Sequence, residues 1–321
     1  MSLTVAASLA VPPAQATPAS AHHTLAYIAN SASNSVSVID TATNTTTATI
    51  PVGTQPVGVA FKPGGAFVYV TNFGSASVSV IDTATHSVIT TIPVGSLPRG
   101  VAFKPDGSLA YVANTSSNAL SVIDTASNTV ITTIPVGTGP VGVTVSPSGT
   151  FAYVTNGGSN AVSVIDTVSN TVSTTIPVGT APAESAFKAD GSLLYVTNYG
   201  SADVSVIDTP TNAVVATIPV GTEPLGVAVS PTRSRAYVVI SGSDTVAVIN
   251  TVTHTIATEI PVGTQPIEAT FKPCSSHLYV TNRFSNSVSV IDTATNTIVT
   301  TIRVGRQPAG VAIAAIAGMS T

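Results

Sequence analysis

The chain has 321 residues, enough for one large domain or two ordinary ones, and 44% of them are apolar whereas only 7% are charged. This balance excludes disorder of the kind that combines low hydrophobicity with high charge. The net charge of −4 and the scattered Lys and Arg residues exclude the basic surface that double-stranded nucleic acid requires.

The N-terminal 23 residues resemble the end of a secretory signal. A short apolar region, Leu3–Val11, precedes Ala14-Gln15-Ala16, a small-x-small pattern typical of a cleavage site, although a basic start is missing. We therefore predict a secreted or cell-surface protein, with a disordered Ala/Pro leader as the alternative. No apolar stretch reaches the roughly 18–20 residues that cross a bilayer, so we expect no transmembrane segment. Cys274 is the only cysteine, which precludes an intrachain disulfide.

A tetrapeptide centred on tyrosine recurs every 42 residues without an insertion. Its seven copies are YIAN at 27, YVTN at 69, YVAN at 111, YVTN at 153 and 195, YVVI at 237 and YVTN at 279. In the second copy, strand patterns cover 57–62, 67–71, 77–82 and 88–94, separated by turn residues such as Pro63-Gly64-Gly65. Four strands in a unit of about 40–45 residues are typical of a β-propeller blade.

The two ends of the repeat array complement each other. The N-terminal copy starts at its second strand, Thr24–Ala29, and the C-terminus carries a spare first strand, Pro308–Ala314. We therefore predict an all-β, seven-bladed propeller closed by a composite blade 1, which removes exposed sheet edges. The predicted organisation is a leader at 1–23, a propeller at 24–315 and a tail at 316–321, and we expect a monomer.

The motifs Y-V-T-N, S-V-S-V-I-D-T and I-P-V-G-x-x-P-x-G-V-A resemble, as a set, the YVTN-repeat family of seven-bladed propellers. The resemblance extends from Thr24 to Ala314. It implies a likeness to microbial surface-layer and exported proteins and, more distantly, to lactonase-like and quinoprotein-like propellers. Because such propellers differ in function, the resemblance implies an architecture more than an activity.

Most repeated polar residues are predicted to be structural. The acids that end the third strands can bond the following turn; they are Asp40, Asp82, Asp124, Asp166, Asp208 and Asp292, with Asn250 in the sixth copy. The Asn residues that close the second strands are expected to brace the next loop, and the tyrosines to pack between blades. His86, His254 and His277 fall in turns away from the mouth, and no spacing predicts a metal site. No nucleophile elbow or nucleotide-binding loop occurs.

A specific site must come from positions at which the blades differ. The mouth is formed by the connections from fourth to first strand and from second to third strand. Glycine occupies one inner-strand position in five blades, but blades 5 and 7 have Glu184 and Glu268. We predict these two as tentative catalytic residues near blades 5–7 and 1, and we predict six ligand-binding residues: Arg99, Tyr199, Glu223, Arg283, Phe284 and Arg306.

The two glutamates have a competing explanation. First strands alternate in pairs, because blades 4 and 6 read VTVSP and VAVSP while blades 5 and 7 read SAFKA and ATFKP. Duplication of a two-blade unit would create both glutamates in one event. If functional, adjacent carboxylates could raise one pKa and form an acid/base pair, or Arg283 or Arg306 could keep both ionised. Calcium would need further oxygen ligands.

The sequence leaves two principal functions open. The first is an exported binding or surface scaffold for a small molecule or a surface or protein partner at the mouth. The second is a hydrolase or lyase that uses Glu184 and Glu268 on a small molecule. A weaker third is association with a quinone cofactor or with single-stranded nucleic acid. The acidic charge and the absence of Trp argue against the nucleic-acid part. No cofactor is identifiable from the sequence.

Overall fold

A computed structural model describes residues 23–316 as a ring of seven four-stranded antiparallel sheets, which confirms the predicted seven-bladed β-propeller. The strands are numbered β1 to β28 in chain order. The innermost strands line the axis and are β4 Pro56–Phe61, β8 Pro98–Phe103, β12 Pro140–Val145, β16 Pro182–Phe187, β20 Pro224–Val229, β24 Pro266–Phe271 and β28 Pro308–Ile316. The second strands are β1 His23–Asn30, β5 Phe67–Asn72, β9 Leu109–Asn114, β13 Phe151–Asn156, β17 Leu193–Asn198, β21 Arg235–Ile240 and β25 His277–Asn282.

The outer half of each blade is equally regular. The third strands are β2 Ser35–Asp40, β6 Ser77–Asp82, β10 Ala119–Asp124, β14 Ala161–Asp166, β18 Asp203–Asp208, β22 Thr245–Asn250 and β26 Ser287–Asp292. The fourth strands are β3 Thr45–Pro51, β7 Ser87–Pro93, β11 Thr129–Pro135, β15 Thr171–Pro177, β19 Ala213–Pro219, β23 Thr255–Pro261 and β27 Thr297–Arg303. Two single-turn 3₁₀ helices, Ser31–Ser33 and Phe73–Ser75, follow second strands. No helix within residues 23–316 is long and apolar enough to span a membrane.

Burial explains the sequence pattern of each strand. Second and third strands such as β5 and β6 are buried along nearly their whole length, because both faces of the blade pack against neighbouring blades. Fourth strands such as β7 are mostly exposed and bury one isoleucine, here Ile92. The β-branched composition of the inner strands therefore forms the core between blades, and the Thr-rich fourth strands form the outer rim.

Ring closure follows the predicted composite blade. β28 pairs antiparallel with β1, from Asn30↔Pro308 at the mouth to His23↔Ile316 at the opposite face. The sheet order β28-β1-β2-β3 completes blade 1 with strands from both ends of the described chain. Blade 1 therefore has four strands like every other blade, and no unpaired strand is left where the two ends of the ring meet.

Each tyrosine of the repeat joins two blades. The rings are buried, and the hydroxyl of Tyr153 donates to Asn212 of the next blade at 3.1 Å while its ring meets Phe187 edge-on. The hydroxyls of Tyr69, Tyr111, Tyr237 and Tyr279 also donate to an Asn, whereas Tyr27 meets His86 at 2.8 Å. The predicted packing role is confirmed, with a hydrogen bond added.

The repeated Asp and Asn residues are structural, as predicted. Oδ1 of Asp82 accepts the backbone N–H groups of Ala84 and Thr85 at 2.9 and 2.8 Å, which closes the turn between third and fourth strands. Nδ2 of Asn72 donates to Ser77 and Ser79 of the third strand, across the loop between them. These bonds brace the turns and loops of each blade, as the sequence predicted.

The Thr of the YVTN motif ties neighbouring inner strands together at the mouth. The hydroxyl of Thr155 accepts the N–H of Gly142 at 2.8 Å and donates to the carbonyl of Ala183 in the next blade. The same pair of bonds occurs at Thr71, Thr197 and Thr281. Blades 1, 3 and 6 have Ala29, Ala113 and Val239 instead. We call these four paired bonds the threonine latches.

Candidate ligand site at the propeller mouth

Seven equivalent inner-strand positions form a ring around the axis: Gly58, Gly100, Gly142, Glu184, Gly226, Glu268 and Gly310. Glycine is required at most of them by the approach of the next blade. A Cβ atom on Gly100 would lie 2.8 Å from the backbone nitrogen of Val143, and one on Gly310 would collide with the carbonyl of Val57. In the other five blades, close backbone packing leaves no room for a side chain at this position. Glu184 and Glu268 are the two exceptions.

Each of these glutamates reaches back over the glycine of the preceding blade. A carboxylate oxygen of Glu184 lies too close to the Cβ position of Gly142 for any side chain there, and Oε1 of Glu268 lies 3.0 Å from the Cβ position of Gly226. The backbone N–H groups of both glutamates are held by threonine latches, at 3.0 Å to Thr197 and 3.1 Å to Thr281. The threonine latches thus hold the backbone of both glutamates, and the glycines of the preceding blades leave room for their side chains at the axis.

Neither carboxylate is satisfied by the rest of the protein. Across residues 23–316 the Glu184 carboxylate accepts no hydrogen bond, and that of Glu268 accepts only its neighbour's N–H, from Ala269 at 3.3 Å. The ion pairs within 4 Å in this part of the chain lie elsewhere, at Lys104–Asp106 and Lys188–Asp190. Both glutamates are partly exposed to the channel, so they are open to a bound molecule.

The electrostatics of the two glutamates are linked. Burial raises the pKa of Glu184 to about 7, against the opposing positive charge of Arg99. Burial, and then the negative charge of Glu184, raise the pKa of Glu268 well above its ordinary value. Near neutral pH the pair therefore holds a proton that two surface carboxylates would have lost.

Arg99 brings positive charge to the same cavity from blade 3. Its guanidinium lies over the ring of Phe73 with 5.2 Å to the ring centroid, a cation–π contact. Its Nε is buried and has no hydrogen-bond partner within the described residues. Burial lowers the pKa of Arg99, the charge of Glu184 opposes this, and Arg283 adds to it. Arg99 is thus a partly buried cation without an ion-pair partner among the described residues.

The structure brings most of the sequence-predicted site residues together, but not all. Glu184, Glu268, Arg99, Tyr199, Glu223 and Arg283 line one cavity. Burial, and then the adjacent Glu223 carboxylate, raise the pKa of Tyr199. Phe284 is 58% exposed and Arg306 is exposed, and neither lines the cavity. Of the two arginines predicted as partners of the glutamates, Arg306 therefore lies apart, and the arginine whose charge acts on Glu184 is Arg99.

Among the lining residues that were not selected from the sequence, one aromatic residue and two amides lie in the loops of the mouth. Phe73, Gln55 and Gln265 belong to positions that differ between blades, which was the only signal available for them. Because Phe73 and Arg99 line the cavity, the site extends to blades 2 and 3, beyond the predicted blades 5–7 and 1. Within residues 23–316 no three His, Cys, Asp or Glu side chains cluster as metal ligands would.

The cavity is an axial channel of about 870 Å³. Its mouth carries the charged residues, and its deeper wall is formed by the inner strands, with Val143, Val227, Ala269 and Phe187 among the lining residues. Pockets for small molecules in proteins are typically about 300–1,000 Å³, largely apolar, with a few convergent polar groups. The channel has these features.

Comparison with known proteins supports the architecture. The family described as "Lactonase, 7-bladed beta-propeller" matches residues 17–134, less than half of the chain. A search of curated proteins finds no match. The resemblance to the YVTN-repeat family accordingly stays a prediction.

Solved structures with the same fold include three instructive cases. Hydrazine synthase of Kuenenia stuttgartiensis is 28% identical, with a TM-score of 0.79 over 84% of this chain and 92% of that one. A 6-phosphogluconolactonase assigned as putative, from Bacteroides uniformis ATCC 8492, is 19% identical, with a TM-score of 0.77 over 91% and 100%. Dihydro-heme d1 dehydrogenase NirN in complex with DHE is 15% identical, with a TM-score of 0.70 over 90% and 74%. The last two likenesses concern the fold alone.

Proposed function

We propose that the protein is a binding propeller that takes a small polar molecule into its mouth, with Glu184, Glu268 and Arg99 as the principal contacts. The observation that carries this proposal is the set of unpaired charges. The carboxyl groups of Glu184 and Glu268 and the guanidinium of Arg99 lie in a single channel and make no ion pair with one another within 4 Å among the described residues.

Such an arrangement is costly in a protein without a ligand. Charged groups removed from bulk water lose solvation, and unpaired ones recover little of it. Glycine at these two positions would avoid the loss of solvation, and five blades have glycine there. A bound molecule that supplies hydrogen bonds to these groups would replace the hydrogen bonds to water that they have lost. We therefore favour a ligand site over an accident of blade duplication.

Thermal shift across a panel of metabolites and metal ions tests this proposal. Glu184→Gln, Glu268→Gln and the double variant keep the side-chain size and remove the charge. The matched control is Glu259→Gln, because Glu259 is an exposed glutamate on the outer strand β23. We expect compounds that stabilise the parent protein to lose at least tenfold in affinity in the mouth variants only. An unchanged response of the double variant to every stabilising compound would contradict a shared ligand site.

A second candidate function is hydrolysis, and the raised pKa values of the two glutamates favour it. Near neutral pH one carboxyl group of the pair can be ionised while the other is protonated. Ionised Glu184 would accept the proton of a water molecule as the water oxygen attacks an ester or lactone carbonyl carbon. Protonated Glu268 would give its proton to the oxygen that leaves as the C–O bond breaks.

The lactonase family match over residues 17–134 makes lactones the first substrates to test. Acid release from a panel of γ- and δ-lactones, followed by pH-stat, should give a bell-shaped dependence of kcat/KM on pH. Each single Gln variant should lower kcat/KM by about 10²–10⁴, the usual range for a general acid or base. Full activity in Glu184→Gln and Glu268→Gln would exclude the acid/base roles and leave the binding proposal standing.

We also propose that the protein is exported to the outside or surface of the cell. The supporting pattern, Leu3–Val11 followed by Ala14-Gln15-Ala16, lies outside the described residues. Fractionation of cells that express the full chain should find it outside the cytoplasm, shortened at its N-terminus. A variant without residues 2–22 should stay in the cytoplasm. Cytoplasmic retention of the full chain would contradict export.

A further inference from the structure

The unpaired groups at the mouth carry both signs of charge, and both signs are open to the same ligand. On the negative side, the carboxylates of Glu184 and Glu268 have between them one hydrogen bond, from the backbone of Ala269. On the positive side, the side chain of Arg99 donates no hydrogen bond to the described residues, and its Nε is buried. The two signs are close enough to influence each other, yet they form no ion pair within 4 Å.

We infer that the mouth binds a small zwitterion, whose anionic group meets Arg99 while its ammonium group lies between Glu184 and Glu268. This inference rests on the proposed binding function and names the chemical class of its ligand. An α-amino acid is the simplest molecule of this class.

Charge balance separates a zwitterion from ligands of one sign. A simple anion would satisfy Arg99 but bring a like charge towards two carboxylates, and a simple cation would satisfy the carboxylates and oppose Arg99 and Arg283. A molecule with both charges a few ångströms apart satisfies both sets at once. It also avoids leaving either set desolvated without a partner, which is the costly outcome.

The donors and acceptors match this class. A guanidinium presents pairs of parallel N–H groups, which suit a carboxylate. Because Nε of Arg99 is buried, the terminal nitrogens Nη1 and Nη2 are the pair that would meet the ligand. An ammonium group has three donors and no acceptor, which suits the free oxygens of the two carboxyl groups. Its positive charge would favour release of the proton that the pair holds near neutral pH. Contact of Arg99 with the ring of Phe73 holds the guanidinium plane in place before a ligand arrives.

The channel below the charges has room for an apolar substituent. Val143, Val227 and Ala269 line it, and all three are buried side chains of inner strands. We therefore expect amino acids with aliphatic side chains, such as leucine, to bind more tightly than glycine.

Isothermal titration at pH 7 tests the inference with three matched compounds after a first screen of the twenty amino acids. L-Leucine has both charges, L-leucinamide lacks the carboxylate, and 4-methylpentanoate lacks the ammonium group. We expect leucine to bind at least tenfold more tightly than either analogue. Arg99→Gln should abolish the preference for leucine over leucinamide. Glu184→Gln should abolish the preference over 4-methylpentanoate, while the Glu259→Gln control keeps both preferences.

The outcomes separate this inference from the proposed function. Equal binding of leucine and 4-methylpentanoate would identify an anion site, and equal binding of leucine and leucinamide a cation site; either result overturns the zwitterion. Binding of no amino acid by the folded protein, verified by circular dichroism, also overturns it. If a different compound still stabilises the parent protein and not the double Gln variant, binding at the mouth survives and only the ligand class is wrong.

Discussion

The two ends of the axial channel are formed by loops of the same repeat. They differ in how closely their side chains match from blade to blade. At the end opposite the mouth, Asp and Asn side chains close nearly identical turns, and buried tyrosines join each blade to the next. At the mouth, equivalent positions hold glycine, glutamate, arginine and aromatic residues. The repeated turns at the back bond their polar side chains within the scaffold, whereas the mouth leaves charged groups unpaired. Specific chemistry in a symmetric ring is thus found where symmetry is broken.

The strongest way to test the structural half of this comparison is at the blade interface. Tyr153→Ala removes a buried ring, its contact with Phe187 and its bond to Asn212, and should lower the free energy of unfolding by about 3–5 kcal/mol. Tyr153→Phe removes the hydroxyl alone and should cost about 1 kcal/mol. Urea denaturation measures both. Equal losses for the two variants would mean that the hydrogen bond, not the packed ring, joins the blades.

The two glutamates at the mouth should make the free energy of unfolding depend on pH. Because the folded protein holds protons on Glu184 and Glu268 that the unfolded chain releases near its ordinary pKa of 4.5, the free energy of unfolding should fall as pH rises from about 4.5 to beyond 7. We expect a loss of about 1–3 kcal/mol, since the channel screens part of the effect. The double Gln variant should lack this slope and exceed the parent protein in stability at pH 8.

Denaturation at pH 5 and pH 8, parent against double variant, isolates this contribution. The comparison is needed because burial lowers the pKa of His86, which makes stability rise with pH up to about 6.5. That contribution is common to both proteins and cancels. Parallel slopes in the two proteins would show that the glutamates ionise normally.

The threonine latches provide a test at the boundary between scaffold and mouth. Thr155→Val leaves the Gly142 N–H and the Ala183 carbonyl without their partner, at a cost of about 1–3 kcal/mol. The reverse change, Val239→Thr in blade 6, should add a latch and stabilise by about 0.5–1.5 kcal/mol. Thermal denaturation of both variants measures the effect. Destabilisation by Val239→Thr would show that blade 6 cannot form the latch geometry.

The smallest effect is expected at Phe73. Phe73→Leu keeps an apolar side chain beside Arg99 and removes the cation–π contact, which should change stability by about 0.5–1 kcal/mol. Ligand affinity should fall a few-fold because the guanidinium is held less firmly. Titration with whichever compound the screen identifies measures this. Phe67→Leu is the control, because Phe67 makes a cation–π contact with Lys62 and neither residue lines the cavity. An equal loss in the control would remove Phe73 from the site.

The fold was predictable because it is written into local signals. A 42-residue period, strand patterns and turn residues specify a blade, and the missing first strand at one end with the spare strand at the other specifies closure. In the second copy, the predicted strands agree with β4 to β7 to within about one residue at each end. Interactions of this kind lie within one repeat, so they recur seven times in the sequence.

The site was predictable only by position. Glu184 and Glu268 stand out because they replace glycine in a repeat, but Arg99 acts on Glu184 from two blades away across the axis. Such a contact depends on side-chain length and direction inside a closed ring, and no pattern along the chain encodes it. Arg306, by contrast, belongs to the same connecting loops and yet is exposed and does not line the cavity.

The pairing of β1 with β28 fixes how this protein can be presented to its surroundings. Asn30 and Pro308 meet at the mouth, so His23 and Ile316, at the other ends of the same strands, both lie on the back of the ring. Any tether, fused domain or tag joined to either end therefore attaches behind the propeller. A chain immobilised in this way would hold its mouth outward, with the charged entrance open to whatever diffuses past.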